Sequence, residues 1–480
     1  MDTGSVRPAV TELRLSAFKT HRGITLPLGP LTLLSGESGS GKSSALQAYE
    51  ILARLGSGES LARAVRDVAG SASACVPAGS RPDEQGRRGF RIGCTVDGPA
   101  GPVDLDLAVQ AEPELRIVGE RLTGGGETLL TTALTDPARP AVQAAWHTAG
   151  TTPVTRAPLP DDRLGTSLLP LRVAGKTEGQ RLVLAAAEQV VVALRSAFVC
   201  DPRPEVMRGM RAAMVAGAVG AGGTGGRNKK AGTGKAAGKG ATTTATAGSW
   251  GARVRNGSGG GGEAGRWDRD ADDAQDEGRL RTSCDNLPAV LERTSKECAR
   301  RHAVLVAAVR EACNGPVDGL RAVPRQPDQT AEAATAVPSP AAPTAPASGG
   351  RSGSGTRRAG QGAVAEERRL QAVVDRGALG EMPIEQLGDG ELRFVALALV
   401  LLTGPGVLAM DPAGEIPSAQ QQMTVMADGM DRCMDRRQAR ELVSLAVRMA
   451  ERGHVRLLGT VRDPSVADGL PDVQVLHLGA

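Results

Sequence analysis

The chain has 480 residues, 40% of them hydrophobic and 23% charged, with a net charge of +4. Only 2% are aromatic, and the 63 Gly and 30 Pro make up nearly a fifth of the length, so a packed core can form over part of the chain rather than all of it. No apolar run reaches the ~18–20 residues needed to span a bilayer, and the first ten residues lack the apolar centre of an export signal. Seven scattered cysteines with no CxxC pair argue against a disulfide framework or zinc site and suit a reducing cytoplasm. The charge is too small for composition alone to indicate nucleic acid.

In chain order, residues 8–215 open with short strand-like runs, TELRLSAF, GITLPL and LTLLSG. A helix follows over Ser43–Leu55, with Leu46, Ile51, Leu52 and Leu55 on one stripe. GFRIGCTVDGPAGPVDLDLAVQ and ELRIVGERL read as an antiparallel meander, and Arg181–Phe198 as a helix. Residues 216–279 are rich in Gly, Ala and Thr, with eight Lys/Arg against one acid up to Trp267 and an acidic run after it. Such a segment buries too little apolar surface to offset its ordering entropy and reads as a disordered linker. Residues 280–323 form a helical block and 324–365 a second, Pro- and Gly-rich tether. Residues 366–480 supply ELRFVALALVLL as a helix, VLAMD as a strand, helices over Gln420–Arg452, then strands VRLLGTV and VQVLHL. Met423, Met426, Met430 and Met434 recur at the spacing of one helix face, a core-packing pattern.

Gly36-Glu37-Ser38-Gly39-Ser40-Gly41-Lys42-Ser43 matches G-x4-GK[ST], between an apolar strand and a helix. Glycines let successive N–H groups turn inward around phosphate oxygens, and the following helix N-terminus adds its dipole. In this pattern Lys42 reaches the β- and γ-phosphates, the Ser43 hydroxyl can ligate Mg²⁺, and Ser44 continues into the helix.

Together with three further motifs, this loop gives the chain a resemblance to the ABC/SMC/RecF-like branch of P-loop ATPases, often labelled AAA-family ATP-binding proteins in bacteria. ELRLSAFKTHRGITLPLGPLTLLSGESGSGKSS resembles the opening of these proteins. Leu387-Gly388-Asp389-Gly390-Glu391 resembles their signature, VLAMD ending at Asp411 their Walker B strand, and RLLGT ending at Thr460 the strand before the switch. The signature stands about twenty residues before Asp411, an order that ring-forming AAA+ proteins lack. The resemblance implies an α/β P-loop ATPase head with antiparallel N-terminal strands, built from residues 8–215 and 366–480, from which a helical, partly disordered insertion projects. It implies ATP and Mg²⁺ as ligands, with Ser43 and Asp411 holding the metal. It also implies a homodimer in the ATP-bound state, in which one signature caps the nucleotide of the partner. The physical fit is that Gly388 and Gly390 at a helix N-terminus offer backbone donors to phosphate; Asp389 as a plain helix cap is the alternative.

Three positions depart from that pattern. The glutamate that usually follows the Walker B aspartate is Pro412, leaving Glu415 as a displaced candidate base. The family's switch histidine is Val461, and the signature serine is Gly388. The expectation is a slow Mg²⁺-dependent ATPase acting through head dimerisation, with a non-hydrolysing nucleotide-dependent scaffold as the alternative. DNA is a weaker expectation, resting on the relatives and on the basic Arg227–Arg266 stretch, and a protein partner is left unidentified.

Overall fold

The computed structural model describes residues 7–147, 154–209, 279–325, 370–403 and 422–479. An eight-stranded antiparallel sheet is built from β1 (Ala9–Phe18), β2 (His21–Pro27), β4 (Arg88–Asp97), β5 (Val103–Glu112), β6 (Arg116–Gly124), β7 (Glu127–Ala133), β8 (Ala141–His147) and β9 (Val154–Pro160). Its spatial order is β2-β1-β4-β5-β6-β7-β8-β9. A five-stranded parallel sheet joins β10 (Ala197–Val199), β14 (Met423–Ala427), β15 (Val455–Thr460), β3 (Leu31–Ser35) and β16 (Gln474–His477), in that order. β11 (Gly319–Pro324), β12 (Leu370–Asp375) and β13 (Glu381–Pro383) form a small antiparallel sheet.

The helices are α1 (Lys42–Gly56), α2 (Leu61–Ala69), α3 (Gly165–Leu168), α4 (Glu178–Arg195), α5 (Pro204–Met207), α6 (Leu287–Glu297), α7 (Ala299–Ala312), α8 (Asp389–Leu402) and α9 (Arg436–Ala450). Among the described residues none is long and apolar enough to cross a membrane.

Period-2 alternation distributes the parallel strands between two cores. Leu33, Val425 and Leu457 face one core with α6 to α9, while Leu34, Met426 and Leu458 face the other with α1, α4 and the antiparallel sheet. Helix α8 is buried almost all round from Leu392 to Leu402, which explains its lack of a polar face. The strands of the expected meander are β4 to β6, and three more follow them.

Two expectations are corrected. Residues 423–427 are a strand rather than part of a helix, so Met423 and Met426 point to opposite cores and share no face. A five-residue apolar run fits a buried helix or a buried strand equally, and pairing with β15 and β10 decides it. The middle helices do not project. Leu287, Val290, Leu291, Leu305 and Val309 lie in the same core as Leu399 and Leu442, because α7 packs on α8 and α9.

Arg456, on β15 and only 8% exposed, ties the two large sheets together. Its Nη2 donates to the carbonyls of Val10 (3.3 Å), Leu28 (2.6 Å) and Gly29 (3.0 Å), at the start of β1 and the end of β2. Replacing it leaves buried acceptors without a donor. Arg456→Met is therefore expected to lower unfolding free energy by about 3 kcal/mol, read from urea denaturation; a change within about 0.5 kcal/mol would show that the bridge adds nothing.

Candidate functional site

β3 delivers the chain to the glycine loop, and α1 starts at Lys42. Two glycines there have no substitute. Gly36 (φ 137°) passes so close to the Leu478 carbonyl that a Cβ would collide with it. Gly41 (φ 96°) lies against the buried His21 ring, whose Nε2 is 2.9 Å from the Gly41 carbonyl oxygen. Both have a left-handed φ that side chains disfavour. The Lys42 ammonium folds back over the loop and donates to the carbonyls of Gly36 (2.6 Å) and Glu37 (2.8 Å). Among the described residues it forms no ion pair. The Ser40 hydroxyl is buried with no partner there either.

Asp411, Pro412 and Glu415 lie outside the described residues. The carboxylate that the structure brings to Ser43 is Asp428, directly after β14. The Ser43 hydroxyl donates to Asp428 Oδ2 at 2.8 Å, and the Thr460 hydroxyl donates to Oδ1 at 2.6 Å. Thr460 Oγ1 in turn accepts from the Gly429 N–H at 2.7 Å, so one side chain at the end of β15 orients both residues. The site thus forms at the carboxyl ends of parallel strands, where open α/β sheets place ligands. A hydroxyl and a carboxylate side by side are hard oxygen donors of the kind Mg²⁺ prefers.

The turn after Asp428 is pinned to β15. Met430 N–H donates to the Thr460 carbonyl (3.0 Å), and Arg432 N–H to that of Gly429 (2.9 Å). Asp431 Oδ2 accepts from the N–H groups of Arg462 (2.7 Å) and Asp463 (3.1 Å). Arg393 of α8, 2% exposed, holds the other side: Nη2 donates to the carbonyls of Asp428 (3.3 Å) and Gly429 (3.0 Å), and Nη1 to that of Pro202 (2.5 Å).

These groups surround a cavity of about 700 Å³ lined by the glycine loop, Thr20, Lys42, Ser43, Ser44, Asp428, Gly429, Arg432, Thr460, Val461 and Arg462. Among the described residues it has three cationic side chains and one carboxylate, a balance suited to a polyanion.

The signature residues lie apart from the cavity lining. Gly388 is the N-cap of α8, and its N–H donates to Glu391 Oε2 (3.2 Å). Asp389 makes no cap bond and pairs with Arg208 (2.7 Å), whose guanidinium also donates to the carbonyls of Glu385 and Leu387. Leu387 is buried, and Gly390 passes so close to the Cys433 carbonyl that it leaves no room for a Cβ.

Sequence reasoning missed Asp428, Arg393 and Arg432. MTVMAD has the same apolar-run-then-Asp form as VLAMD, so the signal for Asp428 existed but was absorbed into a helix. Arg393 carried none, since a lone Arg in an apolar helix does not announce which carbonyls it will meet.

No protein-family model matches the chain, and no curated protein does. Among solved structures, similar ones include an SMC head bound to the C-winged helix domain of ScpA, at 10% identity over 96% of this chain and 91% of that one, with a TM-score of 0.41. Another is an Smc head with an extended coiled coil bound to the C-terminal domain of ScpA, from Pyrococcus furiosus, at 9% identity, 96% and 91% coverage and a TM-score of 0.39. A third is the SMC head domain from Thermotoga maritima, at 10% identity, 97% and 94% coverage and a TM-score of 0.35.

The Thr460 hydroxyl both donates to Asp428 and accepts from Gly429. Thr460→Val should therefore cost about 2 kcal/mol in denaturant unfolding, more than the removal of an exposed hydroxyl. A variant as stable as wild type would show that the Asp428 turn holds itself.

Proposed function

We propose that this chain binds a Mg²⁺–nucleoside triphosphate and hydrolyses it slowly or not at all. The observation that carries this reading is the 2.8 Å bond from Ser43 to Asp428, beside Lys42 and inside one cationic cavity. Lys42 would exchange the carbonyls of Gly36 and Glu37 for β- and γ-phosphate oxygens. The loop N–H groups and the α1 N-terminus would take the remaining phosphate charge. Ser43 and Asp428 would hold the metal, which when bound neutralises charge on the phosphate oxygens. ATP as the nucleotide and a cytoplasmic setting follow from the family resemblance, not from a residue that reads the base.

Fast hydrolysis needs an acceptor for the attacking water's proton. The residue after Asp428 is Gly429, which has no side chain to serve, and Val461 stands where the family has its switch histidine. Among the described residues Asp428 is the only carboxylate lining the cavity, and it is committed to Ser43 and Thr460. These features favour the second reading as well, a switch in which nucleotide occupancy rather than turnover is the signal. In either case the exposed Gly388 and Asp389 at the start of α8 would meet the nucleotide of a second copy, giving an ATP-dependent homodimer that recruits a protein partner. Contact with DNA belongs to the same proposal through the basic 227–266 stretch, which lies outside the described residues.

Titration of a fluorescent ATP analogue with and without Mg²⁺, paired with phosphate release, tests the site. Lys42→Ala should weaken binding by at least about tenfold, the equivalent of one charge-assisted hydrogen bond. Asp428→Asn should remove most of the Mg²⁺ dependence, whereas Asp411→Asn should bind as wild type does. Tight binding by Lys42→Ala, or loss of Mg²⁺ dependence on changing Asp411 instead of Asp428, would overturn the assignment. Phosphate release above the Lys42→Ala background selects the slow ATPase; release equal to it selects the switch.

A further inference from the structure

With Asp428 as the metal-side aspartate proposed above, the glutamate position that sequence alone put at Pro412 falls on Gly429, and Arg432 packs against that residue. The turn closed by the Arg432 N–H on the Gly429 carbonyl (2.9 Å) folds the Arg432 side chain back over Gly429. A Cβ at Gly429 would lie 3.3 Å from Arg432 Nε and 3.5 Å from Nη2, so the guanidinium rests against the bare backbone. Gly429 also has a φ of 57°, a conformation that side chains disfavour, so backbone geometry and the packed guanidinium both call for glycine here. Among the described residues the Arg432 side chain has no hydrogen bond or ion pair, although it lines the same cavity as Lys42, Ser43 and Asp428.

The turn that carries it is rigid. Gly429 and Met430 are bonded to Thr460, Asp431 accepts from Arg462 and Asp463, and Arg393 supports the carbonyls of Asp428 and Gly429 from below. An arginine with no side-chain partner among the described residues, on a fixed turn at the mouth of a phosphate-sized cationic cavity, is pre-organised for a phosphoryl group. Its location selects which one. In the family that the chain resembles, the residue after the strand aspartate acts on the water that attacks the terminal phosphate, so on the nucleotide-binding reading Arg432 lies on the terminal-phosphate side.

We propose that Arg432, admitted by Gly429, binds the terminal phosphate of a nucleoside triphosphate and makes the site discriminate triphosphate from diphosphate. The inference rests on the nucleotide-binding reading above and deepens it. A cation stands where a hydrolytic base would have been, so the site holds the terminal phosphate instead of activating water against it. Arg432 also borders a second cavity, of about 360 Å³, which shares Ser43 and Asp428 and is lined by Glu50 and Asp67, both paired with Arg54, and by Asp201, paired with Arg203. The carboxylates of that cavity already have arginine partners, which leaves Arg432 available to the phosphate-loop side.

The test is isothermal titration calorimetry of the full chain with Mg²⁺ and either AMP-PNP or ADP. Wild type should bind AMP-PNP about tenfold more tightly than ADP or better, the scale of a charge-assisted hydrogen bond. Arg432→Ala should bring the two affinities together by weakening AMP-PNP alone, with ADP within about twofold of wild type. Arg432→Lys should fall between, because it keeps the charge but loses the fork. Gly429→Ala should also reduce the ratio with the arginine still present, because the added methyl displaces the guanidinium. An unchanged ratio in Arg432→Ala, or an equal loss for both nucleotides, would overturn the role of Arg432 while leaving the site intact. Wild type that binds neither AMP-PNP nor ADP would overturn the nucleotide-binding reading itself.

Discussion

The pairing of β3 between β15 and β16 is the constraint on which everything else depends. Leu33 lies opposite Gly459 on one side and Val475 on the other, so a strand near the start of the chain is enclosed by strands from its last thirty residues. That pairing brings the glycine loop after Ser35 level with the carboxyl ends of β14 and β15. It also buries both faces of the sheet. Leu33 is used in the helical core and Leu34 in the core against the antiparallel sheet, so slipping β3 by one residue would exchange the two faces. Loop-closure cost grows only slowly with chain length, which makes such a long-range pairing thermodynamically accessible even with long intervening segments.

Polar chemistry is added to this apolar frame at few points, each with several partners. Thr460 serves Asp428 and Gly429 at once, and Arg393 crosses from the buried face of α8 to the same turn. A buried arginine left unpaired would be costly; here its Nη atoms are spent on backbone carbonyls that would otherwise lack donors. Arg393 also lies four residues beyond the first residue of α8, so any shift of the exposed start of that helix is felt at the Asp428 turn. The signature segment and the cavity are separate in space but are linked through Arg393 and through the close approach of Gly390 to the Cys433 carbonyl.

The site is asymmetric in its chemistry. The groups suited to binding are complete: a glycine loop, a lysine, a hydroxyl–carboxylate pair and two additional arginines. The described lining also includes Gly429, Val461 and Arg432, none of which can take a proton from water. Binding energy applied equally to a ground state and a transition state lengthens occupancy without accelerating chemistry. Under the function proposed above, this distribution of groups favours holding the nucleotide over turning it over.

Much of this was legible before the fold was known. The loop at residues 36–43 is a local motif whose glycines, lysine and serine lie within eight residues, α1 and the β4–β6 meander follow from local periodicity, and α8 from a continuous apolar run. The composition of residues 287–312 established helices but not their surroundings; only packing against α8 and α9 showed that they belong to the core. Which carboxylate meets Ser43 among the described residues was decided by tertiary structure alone. MTVMAD is a short apolar run ending in Asp, and nothing within those six residues says whether it is helix or strand. Strand pairing selects Met423–Ala427, because that run shares hydrogen bonds with β15 and β10 and so delivers Asp428 to Ser43, 385 positions away in sequence. Arg432 is a stronger case still: its placement over Gly429 depends on a turn pinned by Thr460 and Asp431, a geometry that no local pattern encodes.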